Sequence, residues 1–376
     1  MVCAARQNQE VQARSGGHDC IDRDIGTEDG IVAVGLVNFQ QLSVDKTSIA
    51  TVGPGHRLRS LVEGLYANGK RVMPHGIYYD VSVGGHATMG GMGHLNRIYV
   101  YALDIMVEAE AIRGAAASFG IVAEFKFNTF RDFESIVEFS YPVRSNDTRV
   151  RAESVKAYQD LIRHSKFSAN ITVTCQSTQI DLDFTGILHD KGRITTHDTW
   201  LPFMQGQFAA AEGVFPNQSH FHSEDRVIPL SDLPINSSIN KFISQLYNLG
   251  TVLPQWWFLL DMRSGVPNTF DSNVTSFPHR DAAYTVNTWI TTKGVTTLNV
   301  CKFTTQAFLA IQGRTQDKYL SYAASPVVGY HPAKYYGTSY YRQLQGLKAI
   351  YDQSDVFSTS INVKGSDTWS SAVDED

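Results

Sequence analysis

The sequence predicts an α+β protein in two parts, and three observations lead there. Up to about Phe130 the chain is rich in glycine and alternates short strands with turns. Beyond Phe130 glycine thins out, and runs such as Ile171-Thr172-Val173-Thr174-Cys175 and Ile180-Asp181-Leu182-Asp183-Phe184 alternate apolar with polar residues. That is the pattern of antiparallel strands with one wetted face. Two helical runs, Leu58 to Ala67 and Ser238 to Leu249, each stop near a glycine, at Gly69 and Gly250. With 376 residues, 43% of them hydrophobic, the chain can bury one large core or two ordinary ones.

Taken in order, Glu10 to Ala13 alternates as a short strand, and Ile31 to Val37 and Ile49 to Val52 read as two more. Leu58, Leu61 and Leu65 line one face of the first helix. Val81 to Gly93 carries too many glycines for ordinary helix or strand. Tyr101 to Ala111 and Ile121 to Phe127 return to strand, with Ala123, Phe125 and Phe127 on one face of the latter. Trp256 to Asp261 and Tyr284 to Thr291 complete an antiparallel sheet backed by helices, and the polar, acidic tail after Val363 reads as disordered.

Bulk properties narrow the functions. A net charge of −5 and a pI near 6.2 give no reason to expect nucleic acid or an anionic membrane as partner. No apolar run is long enough to span a bilayer, and no signal peptide precedes the polar segment after Arg6. Sequons at Asn146, Asn170, Asn217, Asn236 and Asn273 point toward a secretory ancestry. The four cysteines, Cys3, Cys20, Cys175 and Cys301, have no metal-ligand spacing, so no metal is expected. A Cys3–Cys20 disulfide and four unrelated buried thiols both fit.

Two stretches carry chemistry. Arg14-Ser15-Gly16-Gly17-His18 ends a strand on two glycines and an imidazole, so a flat ligand could approach the main chain and reach His18. A plain strand-to-turn junction with a surface histidine fits the same residues. The run Val81-Ser82-Val83-Gly84-Gly85-His86-Ala87-Thr88-Met89-Gly90-Gly91-Met92-Gly93-His94 exposes backbone N–H groups that suit a pyrophosphate or an electron-rich ring edge. A linker is the alternative, though linkers rarely interleave Val, Met and His.

Read together, RSGGHD, TVGPG, VSVGGHATMGGMGH with ALD, and RGAAASFGIVAEFKF resemble the FAD domain of the berberine-bridge-enzyme-like oxidoreductases. These have the vanillyl-alcohol-oxidase (PCMH-type) fold, and the resemblance is nearest to the fungal glucooligosaccharide and carbohydrate oxidases. The C-terminal run Tyr335-Tyr336-Gly337-Thr338-Ser339-Tyr340-Tyr341-Arg342 through Val356-Phe357 is similar to the closing helix and tail of that family. The resemblance spans Val11 to about Val363. It implies a FAD-binding domain over 1–130, lacking its N-terminal unit and shortened after Ala111. A substrate domain over 131–318, a C-terminal segment over 319–363 returning to the FAD domain, and a disordered tail over 364–376 complete the division.

By this resemblance His18 carries the flavin covalently, and Arg14, Ser15, Gly16, Gly17, Gly84, Gly85, His86, Gly90, Gly91, Gly93, Gly120, Val122 and Tyr319 line the cofactor site. The resemblance also implies that Gly114 to Gly120 pack against the ADP half. Tyr78 stands where several relatives have a second attachment cysteine, so a single covalent bond is implied. Tyr322, in Tyr319-Leu320-Ser321-Tyr322, takes the position of the family's catalytic base. A phenol with a pKa of about 10 needs a neighbour to receive its proton, and Asp261 matches that aspartate. Trp257 matches the sugar-stacking aromatic, and Asn287 is a further substrate contact. Cys20 and Leu259 depart from the pattern, standing where relatives have a tyrosine and a glutamine.

The implied function is an FAD-linked oxidase. It takes a hydride from a substrate alcohol, a saccharide's anomeric carbon foremost, and passes electrons to O2 to give H2O2. The expected protein is a secreted monomer. A secondary-metabolite oxidoreductase of the same family is the first alternative. A non-catalytic truncated remnant with poor FAD affinity is the second.

Overall fold

The computed structural model describes residues 2–19, 30–107, 115–163, 171–178, 182–188, 195–214, 221–249, 256–271, 275, 277–291, 297–311, 333–357 and 363–365. The elements in chain order begin with α1 (Val2–Arg6), β1 (Val11–Arg14), β2 (Val32–Gly35), β3 (Leu42–Val44), β4 (Ile49–Val52), α2 (Leu58–Ala67), β5 (Arg71–Val72), α3 (Val83–Thr88) and α4 (Asn96–Tyr99). Next come β6 (Phe125–Asn128), β7 (Phe130–Arg131), β8 (Ile136–Val143), α5 (Thr148–Arg163), β9 (Ile171–Thr178), β10 (Leu182–Leu188), β11 (Thr195–His197), α6 (Trp200–Val214) and β12 (Phe221–Pro229). The last are α7 (Asn236–Leu249), β13 (Trp256–Met262), β14 (Ala282–Thr291), α8 (Thr297–Ile311), α9 (Ala333–Tyr336) and α10 (Thr338–Tyr351).

Helices and a large antiparallel sheet make this an α+β fold. Seven strands order as β11-β8-β10-β9-β13-β14-β12, each pair antiparallel. The alternation on β13 fixes which side is core. Trp256, Phe258, Leu260 and Met262 are buried among Val155 and Tyr158 of α5, Phe242 and Leu246 of α7, and Phe308 of α8. A slip of one residue would turn all four toward the opposite face, and each is worth roughly 1.5–3 kcal/mol when buried, so the register is strongly specified. Trp257, Leu259 and Asp261 therefore line the other face, which looks toward the glycine-rich half.

That half is built of small sheets: β1–β2 parallel, β3-β4-β6 antiparallel and β5–β7 antiparallel. Leu58, Leu61, Val62 and Leu65 of α2 pack on Ala50 and Val52 of β4, and Phe125 and Phe127 of β6 join the same core. The helix boundaries match the sequence pattern.

Four expectations are corrected. The glycine-rich run is not devoid of helix, because α3 occupies Val83–Thr88. Two mid-helix glycines cost about 1 kcal/mol each, but tertiary contacts hold this turn: Val83 N–H donates to His56 O (2.8 Å) and Gly84 N–H to Pro54 O (3.1 Å), while within the helix the Thr88 hydroxyl donates to Gly84 O (2.7 Å). Tyr101 to Val107 is a turn with one isolated bridge at Met106, not a strand. Its amides are already taken, since Ala102 and Leu103 donate to Gly91 O and Gly90 O, and Tyr101 N–H bonds the Asp104 carboxylate. Strand β6 begins only at Phe125, after Ile121–Glu124 run outside any ladder. Cys3 is a free, exposed thiol and Cys175 a free, buried one, so neither reading of the cysteines holds in full.

The two halves are joined by buried charge. Arg280, in the turn before β14, grips Asp104 through two bonds of 2.8 and 2.6 Å, with both side chains under 5% exposed. Thr275 takes a third bond from the guanidinium (2.6 Å), and Tyr101 and Phe277 lie against it. Nearby, Arg97 of α4 donates to Ser264 O just after β13, and burial presses its pKa down to about 10. Removing one partner of a buried pair strands the other's charge. Asp104→Ala should therefore lower stability by about 3–5 kcal/mol in denaturant titration, whereas Arg149→Ala, at an exposed pair with Asp147, should leave the unfolding midpoint almost unchanged.

Candidate active site

Strand β1 ends where the main chain must pass close to two other segments. The Ser15 hydroxyl donates to Pro54 O (2.5 Å), and Arg57 donates to Gly16 O (2.8 Å) and Asp80 O (2.5 Å). A Cβ on Gly16 would lie 2.5 Å from the Ser82 hydroxyl, and one on Gly84 would lie 2.6 Å from the Ser15 hydroxyl. Gly17 has φ +68°, a left-handed conformation that favours glycine. The three motifs thus meet at one place. His18 follows at once, partly buried, its ring 4.9 Å from that of Tyr78. Burial holds its pKa below the ordinary imidazole value, with Asp80 opposing. The Tyr78 phenol is pushed up to about 12 by burial and by Tyr79, so it stays protonated.

Behind this loop stand more imidazoles. His86 of α3 accepts a bond at Nε2 from Gly76 N–H (2.9 Å), and burial drives its pKa down to about 3, with His75 and His18 adding to the effect. His75 bonds Gly76 O through Nδ1 (2.7 Å) and accepts from Trp200 Nε1–H (3.0 Å), its pKa lowered by burial to about 4. Each is neutral with a fixed tautomer. His94 is held low by burial against the pull of Asp261 and Glu138. Its carbonyl accepts from Thr172 of β9 (3.0 Å), which carries the glycine-rich run to the polar face of the large sheet.

On that face Asp261 accepts from the Thr174 hydroxyl (2.9 Å) and from Arg263 (3.3 Å), and Arg263 also donates to Thr285 (3.0 Å). Register puts Asn287 beside Leu259 and Trp289 beside Trp257. Trp257 is only 4% exposed and stacks on Trp289, ring centres 6.4 Å apart and planes 5° off parallel. Asn287 is buried, and neither amide atom has a partner among the described residues. Sequence reasoning missed Trp289, Thr174 and Arg263. Period-two alternation along β9, β13 and β14 could have found the first two.

The other named residues scatter. Gly90, Gly91 and Gly93 are wholly or largely buried, and a Cβ on Gly91 or Gly93 would strike Ala102 or His75 O. Close packing thus already accounts for those two. Gly120 and Val122 follow a 3-10 turn (Ala116–Ser118), with open space where a Gly120 Cβ would be. Arg14 is exposed and faces Gly17. Cys20, Gly114, Tyr319 and Tyr322 lie outside the described residues.

Comparison with known proteins agrees with this geometry. An FAD binding domain family model matches residues 1–116. An FAD-linked oxidoreductase of Penicillium rubens, sorD, is 26% identical over 94% of this chain and 85% of its own length. The chain is similar to the berberine-bridge-enzyme-like FAD-linked oxidoreductases. Among solved structures, xylooligosaccharide oxidase from Myceliophthora thermophila in complex with xylobiose superposes with a TM-score of 0.88 at 21% identity, over 96% of this chain and 88% of that one. Glucooligosaccharide oxidase from Acremonium strictum, described with a 6-S-cysteinyl, 8α-N1-histidyl FAD, gives 0.85 at 20% identity over the same shares. The fold is thus the PCMH-type, and the protein is an FAD-dependent oxidoreductase acting on CH–OH groups. Among the described residues no helix is long and apolar enough to cross a membrane, and no cluster suits a metal ion.

The residues present fit a flavin. Gly85 is exposed with open space where a Cβ would be, and the buried Ser82 hydroxyl has no partner among the described residues. Gly84→Ala should force Ser15 and Pro54 apart and cost about 1–3 kcal/mol in melting experiments, whereas Gly85→Ala, in open space on the same helix, should be neutral or stabilising by up to about 1 kcal/mol.

The neutral histidines set the response to acid. Below pH 6.5 the unfolded chain takes up protons that folded His86 and His75 refuse until about pH 3–4, so stability falls as pH drops through that window. His86→Gln keeps an acceptor for Gly76 N–H and should flatten the melting temperature between pH 6.5 and 4. An unchanged slope would mean that His86 gains a proton in the folded protein.

Proposed function

We propose that this protein oxidises a saccharide at its anomeric CH–OH, with FAD attached through His18 alone. One observation carries the reading: three sequence-distant motifs converge on His18, and the same glycine-rich run is bonded through His94 to the sheet face that presents Asp261. The chemistry supplied by bound FAD is acceptance of the substrate's hydride, with O2 as terminal oxidant and H2O2 as product. Arg14, Ser15, Gly16, Gly17, Gly84, Gly85 and His86 would hold the ring end, and the segment at Gly120 and Val122 the ADP half. Tyr322 takes the substrate hydroxyl proton, and Asp261, oriented by Thr174 and Arg263, receives it. Asn287 and the Trp257–Trp289 pair bind the sugar. Exposed sequons at Asn146 and Asn236 support a secreted glycoprotein, which we take to be a monomer.

A second reading keeps the apparatus and changes the substrate to a secondary-metabolite alcohol. Two observations favour it. Trp257 is buried against Trp289 rather than open to a ring, and Leu259 puts an aliphatic group beside Asn287.

His18→Ala should lose the flavin that survives acid denaturation, and a flavinylated peptide from any other segment would sink the attachment. Tyr322→Phe should lower turnover roughly 10²–10⁴-fold with the flavin spectrum intact, and Asp261→Asn should act in the same direction. Steady-state oxidation of xylo-, chito- and cello-oligosaccharides against a panel of small alcohols separates the two substrates.

A further inference from the structure

Far from the sheet face, Lys348 of α10 is 1% exposed and surrounded by oxygen. Its ammonium donates to Ser118 O (2.7 Å), Phe357 O (2.7 Å) and the Asp352 carboxylate (2.6 Å), with Asp355 at 2.9 Å. Three donors and a full charge are thereby spent on two stretches of chain, the turn at Ser118 and residues 352–357. Asp352 is bonded in turn by Val356 N–H and Phe357 N–H, both at 2.9 Å. The connection then reaches the flavin loop. Val11 N–H, at the start of β1, donates to Val356 O (2.7 Å), and Val11, Phe357, Ala4, Val34 and Ile121 share one apolar cluster. On the other side Ser118 accepts at its hydroxyl from Val363 N–H (3.0 Å), and Gly120 and Val122 follow within four residues.

We propose that Lys348 is a positioning residue that locks the C-terminal helix, β1 and the Ala116–Ile121 segment into one unit, so that both walls of the flavin site are set from the chain's far end. The consequence for the cofactor rests on the reading of His18 and Gly120 given above; the mechanical coupling does not. The physical ground is the arrangement of acceptors. Two are main-chain carbonyls from different segments, so replacing Lys348 leaves each of them buried and unmatched at the same moment. A surface ion pair would free only its own partner.

The test is amide hydrogen exchange on the full chain as purified, comparing wild type with Lys348→Met and the milder Asp352→Asn. Asp352→Asn leaves the ammonium its two carbonyls and keeps one acceptor for the Val356 and Phe357 amides. Exchange should rise at least tenfold together at 11–14, 116–121 and 352–357, while β13 and β14 keep their protection. In the milder variant the same three segments should respond to a smaller degree. Acceleration confined to 344–357, or spread evenly over the molecule including β13 and β14, would overturn the proposal. The milder variant decides the matter if Lys348→Met does not fold. Flavin readouts then address the other question. Loss of the acid-stable flavin and a changed visible circular dichroism in Asp352→Asn are expected. His18→Ala should abolish the acid-stable flavin with exchange at 116–121 and 352–357 unchanged. Coupled exchange with normal flavin in the Asp352 variant would leave the lock standing and remove the flavin assignment instead.

Discussion

Everything near the His18 loop depends on a contact too close for side chains. Ser15, Pro54 and Gly84 bring three stretches of main chain to within a hydroxyl's reach of one another, and only a missing Cβ at Gly84 allows it. Once that approach is made, the amides of Val83 and Gly84 are satisfied by His56 O and Pro54 O, and α3 can form in a sequence that disfavours helix. Helix α3 then carries His86 into a buried position where it stays neutral. The order of causes runs from backbone proximity to protonation state.

The large sheet works differently. Its polar face is not shaped by glycines but by strand alternation against a deep core, which leaves Asp261, Asn287 and the indole pair on the side facing the small sheets. Two such surfaces would slide on one another if only apolar contact joined them. The Asp104–Arg280 fork and the Arg97–Ser264 bond give the junction direction as well as strength, since a bidentate pair tolerates little rotation.

How much of this was legible in the sequence varied with the physics involved. Helix α2 and strands β4, β9, β13 and β14 followed from periodicity, because one face of each meets a continuous core. The turn at Tyr101 to Met106 did not, because Asp104 captures an amide and an arginine that lies far along the chain. Helix α3 was hidden for the same reason: its stability is tertiary, and propensity pointed the other way. At the candidate site, His18, Ser15, Gly84 and Asp261 were named from motifs. The supporting partners of Asp261, Thr174 and Arg263, become visible only when strands are aligned. Trp257 was read as a sugar-stacking aromatic, and its stacking on Trp289 became visible only with the strands aligned.

The bond from Val11 to Val356 joins points separated by nearly the whole chain. A contact of that span cannot form until Val356 has been made, and its loop-closure entropy is met only late in folding. Synthesis therefore delivers the antiparallel sheet before it delivers a settled β1. The histidine loop, although synthesised long before Val356, is among the last parts to find its place.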